Sequence, residues 1–189
     1  CNLKCPFCSR MVNWGELDIK HMSGDVWDGI LIEARKHGLR SLFMDHDGES
    51  LMNPKLPEMV KEASKAGIID IWMHTNANLL TSELSEKLID NGLTKINFSI
   101  DASTKETHEK LRIGSNYEKV IKNINEFLRL KSKKKAKYLR VRVSFVVQKE
   151  NIQEKESFYE FWKNAPGVNV IAFQNLQELA LFEKKDEEC

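Results

Sequence analysis

The chain has 189 residues, of which 41% are hydrophobic, and its 29 basic and 28 acidic side chains leave a formal net charge of +1. This length suits one domain with a real core, or a large domain with the start of a second. The near-neutral charge argues against a nucleic-acid surface, and the mean hydropathy of −0.45, without a long apolar run, argues against a membrane span.

Both ends of the sequence suggest a piece of a longer protein. The chain opens on Cys1 rather than on a methionine, it lacks a charged and then apolar leader, and it stops at Cys189. Three of the four cysteines lie within the first eight residues. We therefore expect metal or redox ligands in a reducing compartment, and hence a cytoplasmic protein.

The three early cysteines, Cys1, Cys5 and Cys8, have C-x3-C-x2-C spacing. A tight loop can draw such thiolates together. Structural zinc and iron–sulfur cubanes usually have four protein ligands, and no further cysteine or histidine follows before His21. A cubane held by three thiolates leaves one iron open to a substrate or cofactor, and a zinc site is the alternative.

The first half of the chain is then predicted to form a helix, a strand, a helix and a strand. The helices have apolar residues at helical spacing, and the strands are short apolar runs. The first helix is capped by Ser23 or Asp25 and ends at Gly38. The next three predicted elements are a strand at 40–45, a helix after Pro54 that ends at Gly67, and a strand at 68–73.

The second half continues the same alternation. In order, we expect a helix capped by Thr81 or Ser82 that ends at Gly92, a strand at 95–100, a short helix after Ser103, a helix at 117–131, a strand at 139–147, a helix at 155–163 and a strand at 168–173. The segment 177–188 is too highly charged to assign.

Five strands separated by helices are typical of βαβ units, so the sequence predicts an α/β fold with a parallel sheet. Five strands do not close an eight-stranded barrel. We therefore expect an open or partly closed barrel.

Polar residues follow every predicted strand. Parallel sheets bind ligands at the carboxyl ends of their strands, so these residues are expected to share one rim and form a site. They are the segments 45–50 and 74–76, Ser99 and Asp101, Gln148 and Asn151, and Gln174 and Asn175. Ordinary loops and helix caps are the alternative for each residue taken separately.

Alternation along two strands predicts one apolar and one polar face of the sheet. In the strand at 139–147, Val143 and Phe145 point to one face and Arg142 and Ser144 to the other. In the strand at 95–100, Asn97 points to the polar face in the same way. A polar inner face indicates a wet lumen that holds a ligand, and edge strands with one solvated face are the alternative.

The histidines give a weaker signal. His37 and His108 are expected at the surface. His46 and His74 follow adjacent strands, where satisfied core or rim histidines are favoured over substrate contacts.

The cysteine spacing, with Phe7 just before the third cysteine, resembles the radical S-adenosylmethionine (SAM) superfamily, and the resemblance extends from Cys1 to about Gln174. In that family three such cysteines hold a [4Fe–4S] cluster, and SAM chelates the fourth iron. The family fold is a partial (β/α)6 barrel whose first strand precedes the cysteine loop, which implies a first strand upstream of Cys1. It also implies a core domain at 1–175 and the start of an extension at 176–189.

Among the SAM-binding residues that the resemblance implies, Glu49 is the strongest assignment. Gly48 and Glu49 match the end of the family's Gly-Gly-Glu-Pro motif, whose backbone and carboxylate hold the SAM amino group. Asp47 and Ser50 depart from that motif. The resemblance therefore implies that Glu49 binds the ammonium of SAM, with a pairing that differs in detail.

Further cofactor contacts follow from the same resemblance. Ser99 and Asp101, with Arg112 downstream, look like the family's Ser-x-Asp element and its arginine, where the serine and the arginine bind the SAM carboxylate. The remaining implied contacts are Asn76, at the end of its strand, Phe7, near the adenine, and Gln148, Asn151 and Gln174, toward the ribose or adenine.

The resemblance implies that SAM is cleaved reductively to methionine and a 5′-deoxyadenosyl radical, which abstracts hydrogen from a substrate. It implies an electron donor such as flavodoxin or ferredoxin, and a peptide, a carbohydrate or a cofactor precursor as substrate. No catalytic side chain is assigned.

In the SPASM and twitch subfamilies a cysteine just beyond the barrel begins an auxiliary iron–sulfur domain. Cys189 is therefore a candidate auxiliary ligand, with further [4Fe–4S] clusters in sequence beyond residue 189. A free cysteine without a metal role is the alternative.

Two other functions compete with the enzyme. A non-catalytic module that binds zinc or an iron–sulfur cluster explains the cysteines but not Glu49, Ser99 and Arg112 at strand ends. A degenerate family member that binds SAM without turnover is supported by the altered Asp47 and Ser50.

Overall fold

The computed structural model describes residues 1–12, 20–45 and 48–176. The expectations for His46, Asp47, Cys189 and the segment 177–188 lie outside these residues. Within the described part of the chain, no helix is long and apolar enough to cross a membrane.

Five parallel strands form one sheet in which each strand lies beside the next along the chain. The α/β fold with a parallel sheet is confirmed. Because crossovers between parallel strands are right-handed as a rule, connections between consecutive neighbours place the helices on one face of the sheet. The strands are β1 (Ser41–Phe43), β2 (Asp70–Thr75), β3 (Lys95–Ser99), β4 (Arg140–Val147) and β5 (Val170–Asn175).

The helices follow the predicted order, with one addition at the start. They are α1 (Ser9–Val12), α2 (Gly24–His37), α3 (Leu56–Lys65), α4 (Ser82–Asp90), α5 (Lys105–Leu111), α6 (Tyr117–Lys133) and α7 (Lys155–Lys163), with short 3-10 turns at Ser50–Met52 and Ile152–Glu154. Helix α1 was not predicted, because four residues are too few to show helical periodicity.

Capping side chains set where two of the helices begin. The Ser23 hydroxyl accepts a hydrogen bond from the Val26 amide at 3.4 Å, and the Thr81 hydroxyl accepts one from the Leu84 amide at 3.1 Å. These contacts decide between the two residues that the sequence allowed at each position. Helix α2 ends at Gly38, whose φ of +64° favours a residue without a side chain.

The apolar core lies between the sheet and the helices. Val143 and Phe145 of β4 are fully buried in it, as their parity predicts, and Ile96 and Phe98 of β3 join them. We call the opposite side of the sheet the open face. From β1 to β5 it includes Phe43, Trp72, His74, Lys95, Asn97, Ser99, Arg140, Arg142, Ser144, Val170 and Gln174.

The surface position expected for His108 is wrong. Its side chain is fully buried, with Nδ1–H donating to the Ile100 carbonyl at 2.9 Å and Nε2 lying 2.7 Å from the Ser115 hydroxyl. Burial lowers the pKa of His108 to about 4, and the nearby Arg112 charge acts in the same direction. His37, by contrast, is exposed as expected.

Candidate functional site

A cavity of about 480 Å³ opens at the carboxyl end of the sheet. Its volume is within the range of roughly 300–1,000 Å³ that is typical of small-molecule sites. Segments that are distant in sequence meet here because parallel strands end at the same rim. The predicted site residues that line it are Cys1, Cys5, Phe7, Cys8, Gly48, Glu49, Asn76, Ser99, Arg112 and Gln174.

Backbone hydrogen bonds hold the cysteine loop against this cavity. The Cys8 amide donates to the Cys5 carbonyl at 3.1 Å, and the Lys4 amide donates to the Ile113 carbonyl, beyond α5, at 2.9 Å. The three thiols form no disulfide. Burial raises the pKa of the Cys5 thiol, while the Arg112 charge acts against that rise.

The donors at this wall fit an iron–sulfur cluster. Cys1, Cys5 and Cys8 supply three thiols, which are the ligands that such clusters take. The described ranges contain no group of three or more His, Cys, Asp or Glu side chains placed to hold a single metal ion. The three thiols border the cavity of about 480 Å³.

Glu49 is buried at the cavity and fixed by three donors. Its Oε1 accepts from the Thr75 hydroxyl at 2.7 Å and from the Leu51 amide at 3.2 Å, and its Oε2 accepts from the Asn76 amide at 2.8 Å. Burial raises the pKa of the Glu49 carboxyl, and these hydrogen bonds act against the rise. A cation bound in the cavity would stabilise the ionised form.

Two neighbours complete this part of the wall. Gly48 has a φ of +140°, a backbone conformation that favours glycine. Asn76 connects the end of β2 to the cysteine loop, because its Nδ2 donates to Asn2 Oδ1 at 2.9 Å while its Oδ1 accepts from the Asn78 amide at 3.0 Å.

Arg112 brings a buried positive charge to the same cavity. Its Nη2 lies 2.5 Å from Asp101 Oδ2. Burial on its own would lower the pKa of Arg112, but Asp101 and then Cys5 outweigh it and raise that pKa. The Nε of Arg112 is buried and has no hydrogen-bond partner among the described residues. Part of the guanidinium is therefore available to an anionic ligand.

Asp101 stands behind Arg112 and does not line the cavity. It is fully buried, and its Oδ1 accepts from the Val146 amide at 2.8 Å. Its placement supports a positioning role for Asp101. Phe7 lines the cavity, with its ring centroid 5.8 Å from the Arg112 guanidinium carbon.

Two predicted cofactor contacts, Asn151 and Gln148, lie away from this cavity. Asn151 is fully buried and bonded to backbone: its Nδ2 donates to the carbonyls of Asp101 and Val146 at 2.9 and 2.8 Å, and its Oδ1 accepts from the Gln148 amide at 2.7 Å. The Gln148 side chain lines an adjoining cavity of about 720 Å³, which shares Phe7 with the first.

Asn2 is a contributor that was not predicted, and it anchors Asn76. Thr75 belongs to the predicted rim segment 74–76, but its role, which is to hold Glu49 through its hydroxyl, was not predicted. Asn2 lies between two cysteines and had no distinguishing pattern.

The fold and this site are those of a parallel α/β protein with a cysteine loop, a buried carboxylate and a buried guanidinium at one cavity. The sequence model of the radical SAM superfamily matches residues 1–161. The chain therefore belongs to the radical SAM superfamily. Membership confirms the predicted family, and the cofactors of this family are a [4Fe–4S] cluster and SAM.

Several curated relatives carry the name probable GTP 3′,8-cyclase, among them one from Saccharolobus solfataricus and one from Methanococcus maripaludis. The one from Saccharolobus solfataricus is 30% identical over an alignment 191 positions long, which covers 96% of this chain and 55% of the relative. The one from Methanococcus maripaludis is 34% identical over 126 residues, which cover 67% of this chain and 41% of the relative. The chain thus spans about half the length of the relatives it matches.

Among solved structures, Streptococcus suis SuiB bound to S-adenosylmethionine is similar, with a TM-score of 0.73 and 19% identity over 96% of this chain and 40% of that one. At this identity the likeness concerns the fold alone. It supports the partial barrel.

Proposed function

We propose that this chain is the SAM-binding core of a radical SAM enzyme, with Cys1, Cys5 and Cys8 as the ligands of its [4Fe–4S] cluster. When bound, the cluster would supply the electron that cleaves SAM to methionine and a 5′-deoxyadenosyl radical, which abstracts hydrogen from the substrate. The observation that carries the proposal is the cavity where the three thiols, Glu49 and Arg112 meet.

The methionyl end of SAM is a zwitterion and needs an acceptor and a cation. Glu49 supplies a buried carboxylate for the ammonium, held in place by three hydrogen bonds. Arg112 supplies a guanidinium for the carboxylate, held in place by Asp101. Ser99 lines the same cavity and offers a hydroxyl. Charge-assisted hydrogen bonds of this kind are the strong ones in proteins.

The adenosyl end is assigned to the Phe7 side of the cavity. Phe7, Asn175 and Leu176 line both this cavity and the adjoining one that contains Gln148. The Gln148 Nε2 is buried without a hydrogen-bond partner in the described part of the chain, so it can donate to the adenosine. Gln174 lies at the same rim.

The names of the curated relatives make GTP the first substrate to assay. Peptides, carbohydrates and other cofactor precursors follow it. We further propose flavodoxin or ferredoxin as the electron donor, a core at 1–175, and an extension from 176 in which Cys189 binds an auxiliary cluster.

The test is SAM cleavage by the full-length protein, reconstituted anaerobically with iron and sulfide and reduced with dithionite. We expect 5′-deoxyadenosine to form, and none to form in Cys5→Ala, which should also lose the visible absorbance of the cluster. A loaded protein that binds SAM without forming 5′-deoxyadenosine would indicate the degenerate family member. Stoichiometric zinc without iron would indicate the non-catalytic module.

A further inference from the structure

Asn78 is a buried polar residue just beyond β2 that lies behind the cavity rather than in its lining. It is 6% exposed, although asparagine is mostly found at the surface. Its Nδ2 donates to the Ser115 hydroxyl at 2.8 Å and to Asn76 Oδ1 at 3.1 Å, and its Oδ1 accepts from the Asn116 amide at 3.0 Å. One side chain therefore connects the end of β2 to the loop between α5 and α6.

The first connection fixes the side-chain amide of Asn76. Asn76 Oδ1 also accepts from the main-chain amide of Asn78 at 3.0 Å, so both acceptor positions of this oxygen are used. This orientation turns Asn76 Nδ2 toward the cysteine loop, where it donates to Asn2 Oδ1 at 2.9 Å. The main-chain amide of Asn76 donates to Glu49 Oε2 at 2.8 Å. Asn76 thus bonds both the cysteine loop and the buried carboxylate.

The second connection reaches the cysteine loop through the loop at 112–116. The Ile113 carbonyl accepts from the Lys4 amide at 2.9 Å. Gly114 has a φ of +94° and lies so close to the cysteine loop that a Cβ there would be 3.6 Å from Leu3 Cδ2. Whatever holds the loop at 112–116 therefore also holds the cysteine loop.

Ser115 extends this second connection to the buried His108. Because His108 Nδ1–H donates to the Ile100 carbonyl, its Nε2 is an acceptor, and the Ser115 hydroxyl donates to it at 2.7 Å. The Ser115 oxygen in turn accepts from Asn78. Each donor along this path has an acceptor, so the buried network is satisfied in one orientation and can keep the loop rigid.

We propose that Asn78 is a positioning residue for SAM binding, because it holds the cysteine loop and Glu49 in one fixed arrangement through Asn76 and the loop at 112–116. The inference rests on the proposed function, in which SAM engages both the cluster on the cysteine loop and Glu49. A ligand that needs two elements at once binds more tightly when they are already ordered, since ordering them on binding costs conformational entropy.

The experiment measures SAM affinity, iron content and stability of Asn78→Ala in the full-length, reconstituted protein. Equilibrium dialysis gives the affinity, and urea unfolding gives the stability. We expect the iron to be retained, because the three thiols are unchanged. SAM should bind about threefold to tenfold more weakly, which is the effect of losing one neutral hydrogen bond in a supporting network.

Asn123→Ala is the matched control. Asn123 Nδ2 donates to the carbonyl of Ala77, the residue between Asn76 and Asn78, at 2.7 Å. This variant therefore loses a hydrogen bond to the same segment, and we expect both variants to be less stable than the wild type. SAM affinity should change by less than about twofold in Asn123→Ala. Equal losses of SAM affinity in the two variants would make Asn78 a structural residue only and overturn the proposal.

Asn2→Ala tests the same connection from the cysteine loop, and it decides the matter if Asn78→Ala does not fold. We expect Asn2→Ala to weaken SAM binding as well. In the double variant the loss should be smaller than the product of the two single losses, because both changes disturb the contact made by Asn76. Normal SAM affinity in Asn2→Ala, or a double variant that shows the full product, would contradict the proposal.

Amide hydrogen exchange of the full-length protein without SAM reports on the cysteine loop directly. We expect faster exchange of the peptide that contains Lys4 and Cys8 in Asn78→Ala, and unchanged exchange in Asn123→Ala. A wild-type protein that binds no SAM would be a failure of the proposed function. A wild type that binds SAM, together with an Asn78→Ala that binds it normally and exchanges normally, would overturn this inference alone.

Discussion

At the scale of single residues, the carboxylate of Glu49 is the most informative group of the site. The family motif pointed to it from the sequence. What the sequence could not give is its support, because the donors from Thr75 and Asn76 come from a strand more than twenty residues away. The structure adds the three hydrogen bonds that hold the carboxylate in place.

We predict that Glu49→Gln weakens SAM binding by about 1.5–3 kcal/mol, since the amide keeps the shape but loses the charge that pairs with an ammonium. Equilibrium dialysis with SAM measures this on the reconstituted protein. Glu58→Gln, on the exposed side of α3, is the control and should bind SAM normally. Unchanged SAM affinity in Glu49→Gln would remove Glu49 from the ammonium site.

The second prediction at this scale concerns His108 and pH. Its folded pKa of about 4 lies below the unfolded value of roughly 6.5, so between these values the unfolded chain binds a proton that the folded chain does not. Stability should therefore fall as pH drops from 6.5 toward 4, by about 3 kcal/mol at most.

Urea unfolding at several pH values measures this dependence. His108→Asn keeps a donor for the Ile100 carbonyl and does not titrate, so its stability should fall less over the same interval. Parallel curves for the two proteins would contradict the assignment.

At the scale of elements, the loops after β3 and β4 depend on one buried asparagine. Asn151 bonds the backbone of Asp101, Val146 and Gln148, and Asp101 in turn holds Arg112. Three residues that were all predicted to contact the cofactor thus have different positions in the structure. Arg112 lines the cavity, while Asp101 and Asn151 position it.

Asn151→Ala should reduce the free energy of unfolding by about 1–3 kcal/mol, because it leaves buried backbone groups without partners. If Asn151 instead contacts the cofactor, SAM affinity would fall in a variant of normal stability. Chemical denaturation and SAM binding on the same preparations separate the two roles. The exposed Asn164→Ala, at the end of α7, is the control.

The strands and most helices could be predicted because their signals are local. The β4 sequence alternates Val143 and Phe145 with Arg142 and Ser144, and both faces are where that parity predicts. His108 was misplaced because its helix, Lys105–Leu111, is charged on most positions. Only the Ile100 carbonyl and Ser115, brought close by tertiary packing, make that position a buried one.

At the scale of the whole molecule, the site exists because the strands of a parallel sheet end together. The cysteine loop, the segment after β1 and the ends of β2, β3 and β5 all reach one cavity. The cofactors could be inferred from sequence because the cysteine spacing is local. Oδ1 of Asn97 and Nε of Arg142, which are buried without a hydrogen-bond partner among the described residues, could not be inferred, because a missing partner is visible only once the neighbours are in place.

The most direct test of the central claim is electron paramagnetic resonance of the full-length protein, reduced anaerobically, with and without SAM. We expect the signal of a reduced [4Fe–4S] cluster that changes when SAM is added, and a smaller change at the same SAM concentration in Arg112→Lys. A cluster signal that SAM leaves unaltered would contradict a shared site for the cluster and SAM in this cavity.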